Sequence, residues 1–446
     1  MKIAVITAAA LLSLGGAGTV QAAGDTVNDC HLGAYRLADG DVLSLNPSDT
    51  DLTFRWRKLD GVTGKLTPQP DGSYVSTIGW TDHRDGRIVR FSDCASGQID
   101  FAGAPAQKIP LDVTNVTFES GGLKLAGRLV MPKGSGRVPI VVMIHGSEKY
   151  SGRDIYYHQW MLPANGVGVF VYDKRGTGQS EGKYTQDFET LSNDAVAAMA
   201  QARKLAGARA GRVGFQGGSQ GGWVAPLAAT KTHADFVISD FGLLVDPLEE
   251  DREEIMLEMR NAGHSPQDTA KALEIADAAG EIVTSGLKHG FERFDALRAK
   301  YRGEPWYKDL HGNFTGFLLP YSKDELLAHR NDLEMGTPWH YDGMAVQAKL
   351  MTPQLWELGT DDLAAPSAET AKRLKSFMAK GHPITLAMFP RSEHGIYEYE
   401  LKPDGSRVDT RNADGYLKAM IDYAKTGRLS GRYGDATITT PKDVKR

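Results

Sequence analysis

A serine surrounded by glycine lies near the middle of the chain, in the stretch GFQGGSQGGW at residues 214–223. The preceding RVGFQG has the apolar pattern of a buried strand, and the following SQGGWVAPLAAT has the composition of a helix. Gly217 and Gly221 flank Ser219 in the pattern G-x-S-x-G, which suits a tight strand-to-helix turn where a Cβ at either glycine would clash. The pattern therefore predicts a strained, exposed serine hydroxyl placed to act as a nucleophile.

A serine hydroxyl is a weak nucleophile, so it needs a base and an acid that orients the base. On a strand-to-helix turn of this kind the partners follow in the order serine, acid, histidine. Asp362 follows the apolar run QLWELG, and His394 follows the next such run, ITLAMF. We predict Ser219 as nucleophile, Asp362 as acid and His394 as base. The adjacent Asp361 is the alternative acid. Asp362 is favoured because it stands three residues after Gly359 and four before Pro366.

Attack of a serine on a carbonyl creates an oxyanion that fixed N–H donors must stabilise. One donor in this geometry is the N–H after the nucleophile, which belongs to Gln220. The other comes from a loop after an early strand, where His145 and Gly146 precede Ser147. We therefore predict the N–H groups of Ser147 and Gln220 as the oxyanion hole, with Glu148 as the alternative to Ser147.

Strands that are apolar on both faces alternate with helical segments over residues 112–430. This alternation predicts a doubly wound, mostly parallel α/β sheet covered by helices on both sides. The loops after its strands would bring serine, aspartate and histidine to one sheet edge. The predicted buried strands lie at residues 138–144, 167–173, 212–217, 236–242, 354–359 and 384–389, and the clearest predicted helix lies at residues 189–206.

Five motifs together resemble the α/β-hydrolase superfamily: HGS at 145–147, D-x-R-G-x-G-x-S at 173–180, GGSQGG at 217–222, G-x-x-D-x-x-x-P at 359–366 and HG at 394–395. The branch is similar to bacterial secreted esterases and peptidase-like proteins related to dienelactone hydrolases and prolyl-oligopeptidase catalytic domains. The resemblance implies the same triad and oxyanion-hole residues. The N-terminal segment is too short for the propeller of prolyl oligopeptidases, which disfavours an oligopeptidase.

Residues 25–108 are predicted to form a small all-β domain, an antiparallel sandwich or barrel. The run DLTFRWR alternates apolar and polar residues, which predicts one apolar face and one wet face. Cys30 and Cys94 are the two cysteines of the chain, and in an exported protein they are expected to pair. A packing or lid-supporting role and a substrate-binding role are both compatible with this domain.

Residues 245–345 separate two predicted strands by far more chain than one crossover helix needs. We predict a helical cap inserted in the α/β domain, above the active site. Its aromatic residues are candidates for the apolar lining of a substrate pocket, although a place in the cap's own core is an equal alternative. These candidates are Trp306, Tyr307, Phe314 and Phe317.

The first 22 residues have a lysine, a short apolar run and small residues ending at Ala22, which predicts a cleaved signal peptide. An uncleaved anchor is the alternative. We therefore expect a periplasmic or secreted protein without stable membrane insertion. Residues 431–446 are expected to be a C-terminal tail. The composition is ordinary, with a net charge of −5 and no basic block, so nucleic acid is not an expected partner. No metal or cofactor motif is present.

The sequence therefore predicts an exported serine hydrolase that cleaves carboxylic esters or thioesters through an acyl-enzyme, acting on a small ester or a short peptide. A serine aminopeptidase or dipeptidase is the first alternative, since the acidic residues Glu249, Glu250 and Asp251 in the cap could hold a peptide terminus. A non-catalytic binding protein on a hydrolase scaffold is the second.

Overall fold

The N-terminal module is an eight-stranded antiparallel barrel in the computed structural model, which describes residues 29–48 and 53–444. Its first strand pairs with its last and closes the barrel. A 3₁₀ helix, Asp29–His31, precedes it, and Cys30 forms the predicted disulfide with Cys94. The strands are β1 (Gly33–Arg36), β2 (Val42–Pro47), β3 (Phe54–Lys58), β4 (Thr63–Pro68), β5 (Tyr74–Ile78), β6 (Arg84–Phe91), β7 (Gln98–Phe101) and β8 (Ala104–Lys108).

Strand β3 is buried on both faces. Phe54 and Trp56 point into the barrel core, as the alternation predicts. Arg55 and Arg57 are buried as well, so the prediction of a wet face is wrong for this strand. The reason is that other parts of the chain cover these arginines, and the Arg57 guanidinium lies 4.1 Å from the centre of the Tyr157 ring in the second domain.

The second domain is built on a nine-stranded, mostly parallel sheet. Its strands are β9 (Leu111–Ser120), β10 (Leu123–Pro132), β11 (Val138–Ile144), β12 (Gly168–Tyr172), β13 (Ala210–Gly218), β14 (Val237–Asp240), β15 (Gln354–Gly359) and β16 (Ile384–Phe389), joined near the C-terminus by β20 (Thr437–Thr439). A separate three-stranded sheet follows β16 and contains β17 (Ser392–Glu393), β18 (Tyr397–Leu401) and β19 (Arg407–Asn412). The order in the large sheet is β20-β16-β15-β14-β13-β11-β12-β10-β9.

The C-terminal segment belongs to the fold. Strand β20 pairs antiparallel with β16 and forms one edge of the large sheet. The expected tail at 431–446 is therefore wrong in this respect, because Thr437, Ile438 and Thr439 satisfy the backbone groups of an otherwise open sheet edge. The predicted signal peptide lies outside the described residues.

Helices cover both faces of the large sheet, as predicted. In β11, Ile140, Val142 and Ile144 belong to one hydrophobic cluster, and Val141 and Met143 belong to a second cluster on the opposite face. The helices are α1 (Gly152–Ile155), α2 (His158–Ala164), α3 (Phe188–Ala206), α4 (Gly221–Lys231), α5 (Pro247–Asn261), α6 (Pro266–Thr284), α7 (Phe291–Tyr301), α8 (Asn313–Leu318), α9 (Lys323–Ala328), α10 (Arg330–Leu333), α11 (Gly343–Lys349), α12 (Ser367–Ala379), α13 (Tyr416–Thr426) and α14 (Pro441–Val444). Two further 3₁₀ helices are Gly207–Arg209 and Pro305–Asp309.

Helices α5 to α10 form the cap between β14 and β15, around a hydrophobic cluster of their own. Helix α5 begins with a capping box between Asp246 and Glu249, and the predicted start of α6 is capped by Ser265, which accepts a hydrogen bond from Asp268 N–H. Within residues 29–48 and 53–444, no helix has the length and apolar content needed to cross a bilayer.

The barrel contacts the second domain through the three-stranded sheet. Val62 of the barrel forms an isolated antiparallel bridge with Arg411 of β19. Asn412 N–H donates to the Gly61 carbonyl over 3.0 Å, and Trp80 N–H donates to the Asp409 carbonyl over 2.9 Å. Backbone groups of the barrel are thus bonded to the segment that follows His394.

Candidate active site

Ser219 lies at the turn between β13 and α4 in a left-handed conformation, with a φ of 54°. A Cβ at Gly217 would overlap the backbone of Gly221, and a Cβ at Gly221 would approach the Ile144 carbonyl oxygen to 2.7 Å. Ser219 N–H donates to the Asp240 carbonyl over 3.0 Å, which ties the turn to β14. A positive φ at a non-glycine residue costs about 1–3 kcal/mol, so the surrounding backbone holds this serine in place against strain.

His394 and Asp362 are joined by hydrogen bonds. The imidazole Nδ1 lies 3.0 Å from Oδ2 and 3.2 Å from Oδ1 of a carboxylate that is only 1% exposed. Asp362 Oδ1 also accepts from Ala365 N–H over 2.7 Å, which fixes the carboxylate. The adjacent Asp361 points elsewhere and accepts from the Tyr399 hydroxyl over 2.8 Å. The structure therefore brings Asp362, and not Asp361, to the imidazole.

The environment of His394 suits a base. Because Nδ1 donates to the carboxylate, Nε2 of the neutral ring carries the lone pair. Burial lowers the pKa of His394, but the charge of Asp362 and the hydrogen bond to it outweigh burial and raise the pKa. Nε2 is buried and, in the described part of the chain, has no hydrogen-bond partner.

Phe241 packs against the imidazole and lies beside the serine turn. Its ring centre lies 4.8 Å from that of His394, and its Cζ lies 2.5 Å from where a Cβ on Gly218 would be. No hydrogen bond joins Ser219 Oγ to His394 Nε2 among the described residues. Such catalytic hydrogen bonds are often long in the free enzyme and tighten when substrate binds.

The two predicted oxyanion donors lie on loops beside the serine turn. Gln220 is the N-cap of α4, and a Cβ built on Gly146, next to Ser147, would lie 3.5 Å from Ser219 Cβ. The Ser147 carbonyl accepts from the Tyr184 hydroxyl, which anchors this loop.

A buried charge cluster also lies beside the serine turn. The Glu148 carboxylate accepts from the Tyr156 hydroxyl and lies 3.5 Å from His145 Nδ1. Lys174 Nζ donates to the Gly146 carbonyl over 2.7 Å. Burial alone raises the pKa of Glu148, but His145, Lys174 and Tyr156 outweigh burial and lower it. Sequence reasoning weighed Glu148 only as a backbone donor, although an acid directly after HGS is a usable signal.

The four predicted aromatic pocket residues lie in the hydrophobic cluster of the cap. Trp306 is 1% exposed, and Phe314, 7% exposed, packs edge-on against Trp339 at 5.2 Å. Tyr307 and Phe317 pack against the same cluster and are half-buried. For Trp306 and Phe314 the structure therefore favours the alternative given with the prediction, a place in the cap's own core.

Comparison with known proteins identifies the fold. The family model of X-Pro dipeptidyl-peptidases (S15 family) matches residues 121–244, which include the turn at Ser219. The chain has the α/β-hydrolase fold. The predicted resemblance to this superfamily is therefore confirmed. The match to the peptidase family model also supports an enzyme of the hydrolase kind.

The chain is also similar to individual hydrolases. A thiohydrolase, aneE, of Aspergillus aculeatus is 28% identical over 210 residues, which are 43% of this chain and 62% of that relative. An esterase of Pyrococcus furiosus matches 64% of this chain and 84% of its own, with 15% identity and a TM-score of 0.39. An acylaminoacyl peptidase of Pyrococcus horikoshii matches 89% of this chain and 56% of its own, with 13% identity and a TM-score of 0.44.

Proposed function

We propose that this protein is a serine hydrolase that cleaves carboxylic esters or thioesters through an acyl-enzyme. The observation that supports it best is the Asp362–His394 hydrogen bond, at the same sheet edge as Ser219 on its strained turn. An acid that holds the imidazole in one tautomer is what a serine nucleophile requires. The thiohydrolase relative supports extending the substrate class from esters to thioesters.

In the proposed mechanism, His394 Nε2 accepts the Ser219 Oγ proton as the oxygen attacks the carbonyl carbon. The N–H groups of Ser147 and Gln220 hold the resulting oxyanion. His394 then returns the proton to the leaving group as its bond to carbon breaks. Water then gives a proton to His394 Nε2 as its oxygen attacks the acyl carbon of the acyl-enzyme. The bond between that carbon and Ser219 Oγ breaks, the carboxylic acid leaves, and His394 returns the proton to Ser219 Oγ.

Peptide hydrolysis is the second candidate, since the matching family model describes dipeptidyl peptidases. The same triad would act on an amide, provided that the site also holds a peptide terminus. We also propose a periplasmic or secreted location, supported by the Cys30–Cys94 disulfide, because such bonds persist in oxidising compartments.

Labelling with a fluorophosphonate probe tests the proposal. The wild-type protein should be labelled and should hydrolyse p-nitrophenyl esters, and Ser219→Ala should lose both properties while retaining its circular dichroism spectrum. A panel of esters, thioesters and aminoacyl p-nitroanilides then ranks the substrate classes. Folded wild-type protein that neither reacts with the probe nor cleaves any member of the panel would favour the non-catalytic alternative.

A further inference from the structure

Lys174 occupies the second position of the D-x-R-G-x-G-x-S motif, in the loop after β12. It is 2% exposed, although a buried ammonium group is costly unless other groups compensate for its charge. Its Nζ donates to the Gly146 carbonyl over 2.7 Å and lies 4.6 Å from the centre of the Tyr184 ring. Burial lowers the pKa of Lys174 to about 8, although the charge of Glu148 opposes this, so the side chain is largely protonated at neutral pH. The fold therefore keeps a buried cation on one backbone oxygen.

The backbone oxygen that Lys174 binds belongs to the same peptide unit as the predicted oxyanion donor. The Gly146 carbonyl and the Ser147 N–H share one planar, trans peptide, so they point in opposite directions. Holding the carbonyl therefore fixes the direction of the N–H. Within residues 29–48 and 53–444, the Ser147 N–H donates to no group, and Gly146 lies beside the serine turn. A free, fixed N–H beside the nucleophile is what an oxyanion hole requires.

Two tyrosines hold the neighbouring peptide units of this loop. The Tyr156 hydroxyl accepts from the Gly146 N–H over 3.4 Å, in the unit before, and the Tyr184 hydroxyl donates to the Ser147 carbonyl, in the unit after. Lys174 holds the unit between them, and it does so with a positive charge. A cation on a carbonyl oxygen draws electron density from the amide, which makes the N–H of that amide a stronger donor.

We propose that Lys174 is a positioning residue of the oxyanion hole, whose ammonium group orients and polarises the Gly146–Ser147 peptide so that the Ser147 N–H is ready to bind the oxyanion. This inference rests on the proposed function and adds to it a residue that acts on the transition state through the backbone. Binding of the substrate itself does not need the ammonium group, because the carbonyl oxygen gains its negative charge only as the serine attacks.

Lys174→Met tests the proposal, because it keeps a long, unbranched side chain and removes the ammonium group. With p-nitrophenyl acetate and butyrate, we expect kcat and kcat/KM to fall together by about 10–100-fold, the pattern of an interaction made in the transition state. This loss is smaller than the roughly 10²–10³-fold effect of removing an oxyanion donor, because the N–H itself remains. A purely structural role would lower the melting temperature but would not produce this kinetic pattern.

Two ketones give an independent measurement. With 1,1,1-trifluoro-2-octanone, Ser219 Oγ bonds the carbonyl carbon, its proton moves to His394, and the ketone oxygen becomes an oxyanion. The parent compound, 2-octanone, binds as a neutral ketone. Lys174→Met should weaken inhibition by the fluorinated ketone by the same factor as kcat/KM and leave inhibition by 2-octanone unchanged.

Lys149→Met is the matched control. The Lys149 ammonium lies 4.9 Å from the centre of the same Tyr184 ring, but this lysine is exposed, and its replacement should retain the wild-type kcat. If Lys174→Met fails to fold because the buried Glu148 loses a neighbouring cation, the double variant with Glu148→Gln removes both charges. Its kcat should then lie well below that of Glu148→Gln alone.

The failure of this inference is distinguishable from the failure of the proposed function. An active enzyme whose folded Lys174→Met variant keeps the wild-type kcat, changes only in KM or loses affinity for both ketones alike overturns the inference, and so does a double variant as active as Glu148→Gln alone. The proposed function stands in each of these cases. Wild-type protein that neither reacts with a fluorophosphonate nor cleaves any ester would overturn the proposed function, and this inference with it.

Discussion

The barrel and the cap are the two regions added to the α/β domain, and they meet the candidate site in different ways. The barrel is joined to the segment after His394 by backbone hydrogen bonds, and Asn412 in turn donates from Nδ2 to the Gly395 carbonyl over 3.0 Å. The cap instead packs around a hydrophobic cluster of its own, and Glu249 of α5 bonds the Arg373 guanidinium of α12. The barrel contact is suited to positioning the loop that carries His394, whereas the cap contact joins the cap to the helix that follows Asp362.

The largest effect should come from Asp362, whose carboxylate bonds the imidazole of His394. Asp362→Asn leaves the shape of the site intact but removes the charge that orients and stabilises the imidazole. We expect kcat to fall about 10⁴-fold for every substrate, as for the equivalent change in a serine protease. Steady-state kinetics with a neutral ester measure this, and Asp361→Asn serves as the control. Equal losses in the two variants would show that the wrong aspartate has been assigned.

Breaking the barrel contact should affect the base rather than the selection of substrate. A Cβ at Gly61, which has a φ of 94°, would overlap the Asn412 carbonyl. We expect Gly61→Ala to lower the stability by about 1–3 kcal/mol, the usual cost of such strain, and to lower kcat for esters of different acyl groups alike.

Gly40→Ala is the control for this change. Gly40 has a φ of 88°, but a Cβ there would meet nothing within 4 Å, so the variant carries the backbone strain without the clash. Kinetics and thermal unfolding of both variants separate the two effects. A Gly61→Ala enzyme that changes its preference among esters of different acyl groups would contradict the division of roles between barrel and cap.

Removal of the disulfide tests whether the stability of the whole barrel affects the candidate site. Replacing both Cys30 and Cys94 by serine should cost about 2–4 kcal/mol of stability, because the unfolded chain regains the freedom of a long loop. We expect the activity of the folded protein to be unaffected, since the bridge joins the residues before β1 to the loop between β6 and β7 and does not involve Gly61. Denaturant unfolding and ester hydrolysis on the same sample measure both quantities. A large loss of kcat in folded protein would mean that the whole barrel positions His394.

The smallest expected effect is a shift in pH dependence. The base acts in its neutral form, so the rate of fluorophosphonate labelling should fall as the pH drops through the pKa of His394, which lies above its ordinary value of about 6.5. In Asp362→Asn the supporting charge is lost while burial remains, so this limb should move to lower pH. Labelling rates measured across pH for the wild type and for Asp362→Asn give the pH at which each rate falls. A fall at higher pH in the variant would contradict the proposed role of Asp362.

Local patterns predicted the core of the site and missed its long-range supports. The glycines around Ser219, the positions of Asp362 and His394 after neighbouring strands, and the helices on both faces could be predicted because turn geometry and apolar periodicity are local properties. The burial of Arg55 and the contact between Gly61 and Asn412 could not, since they depend on which parts of the chain meet in space. Period-two alternation shows that a strand has two kinds of face, but it does not show what covers each face.

The most direct test of the account is to find the residue that a fluorophosphonate modifies. Wild-type protein is labelled, digested and mapped by mass spectrometry. We expect one adduct on the peptide containing Ser219, formed much more slowly in a His394→Ala variant that remains folded. An adduct on a different serine, or labelling of Ser219 at the same rate without the imidazole, would contradict it.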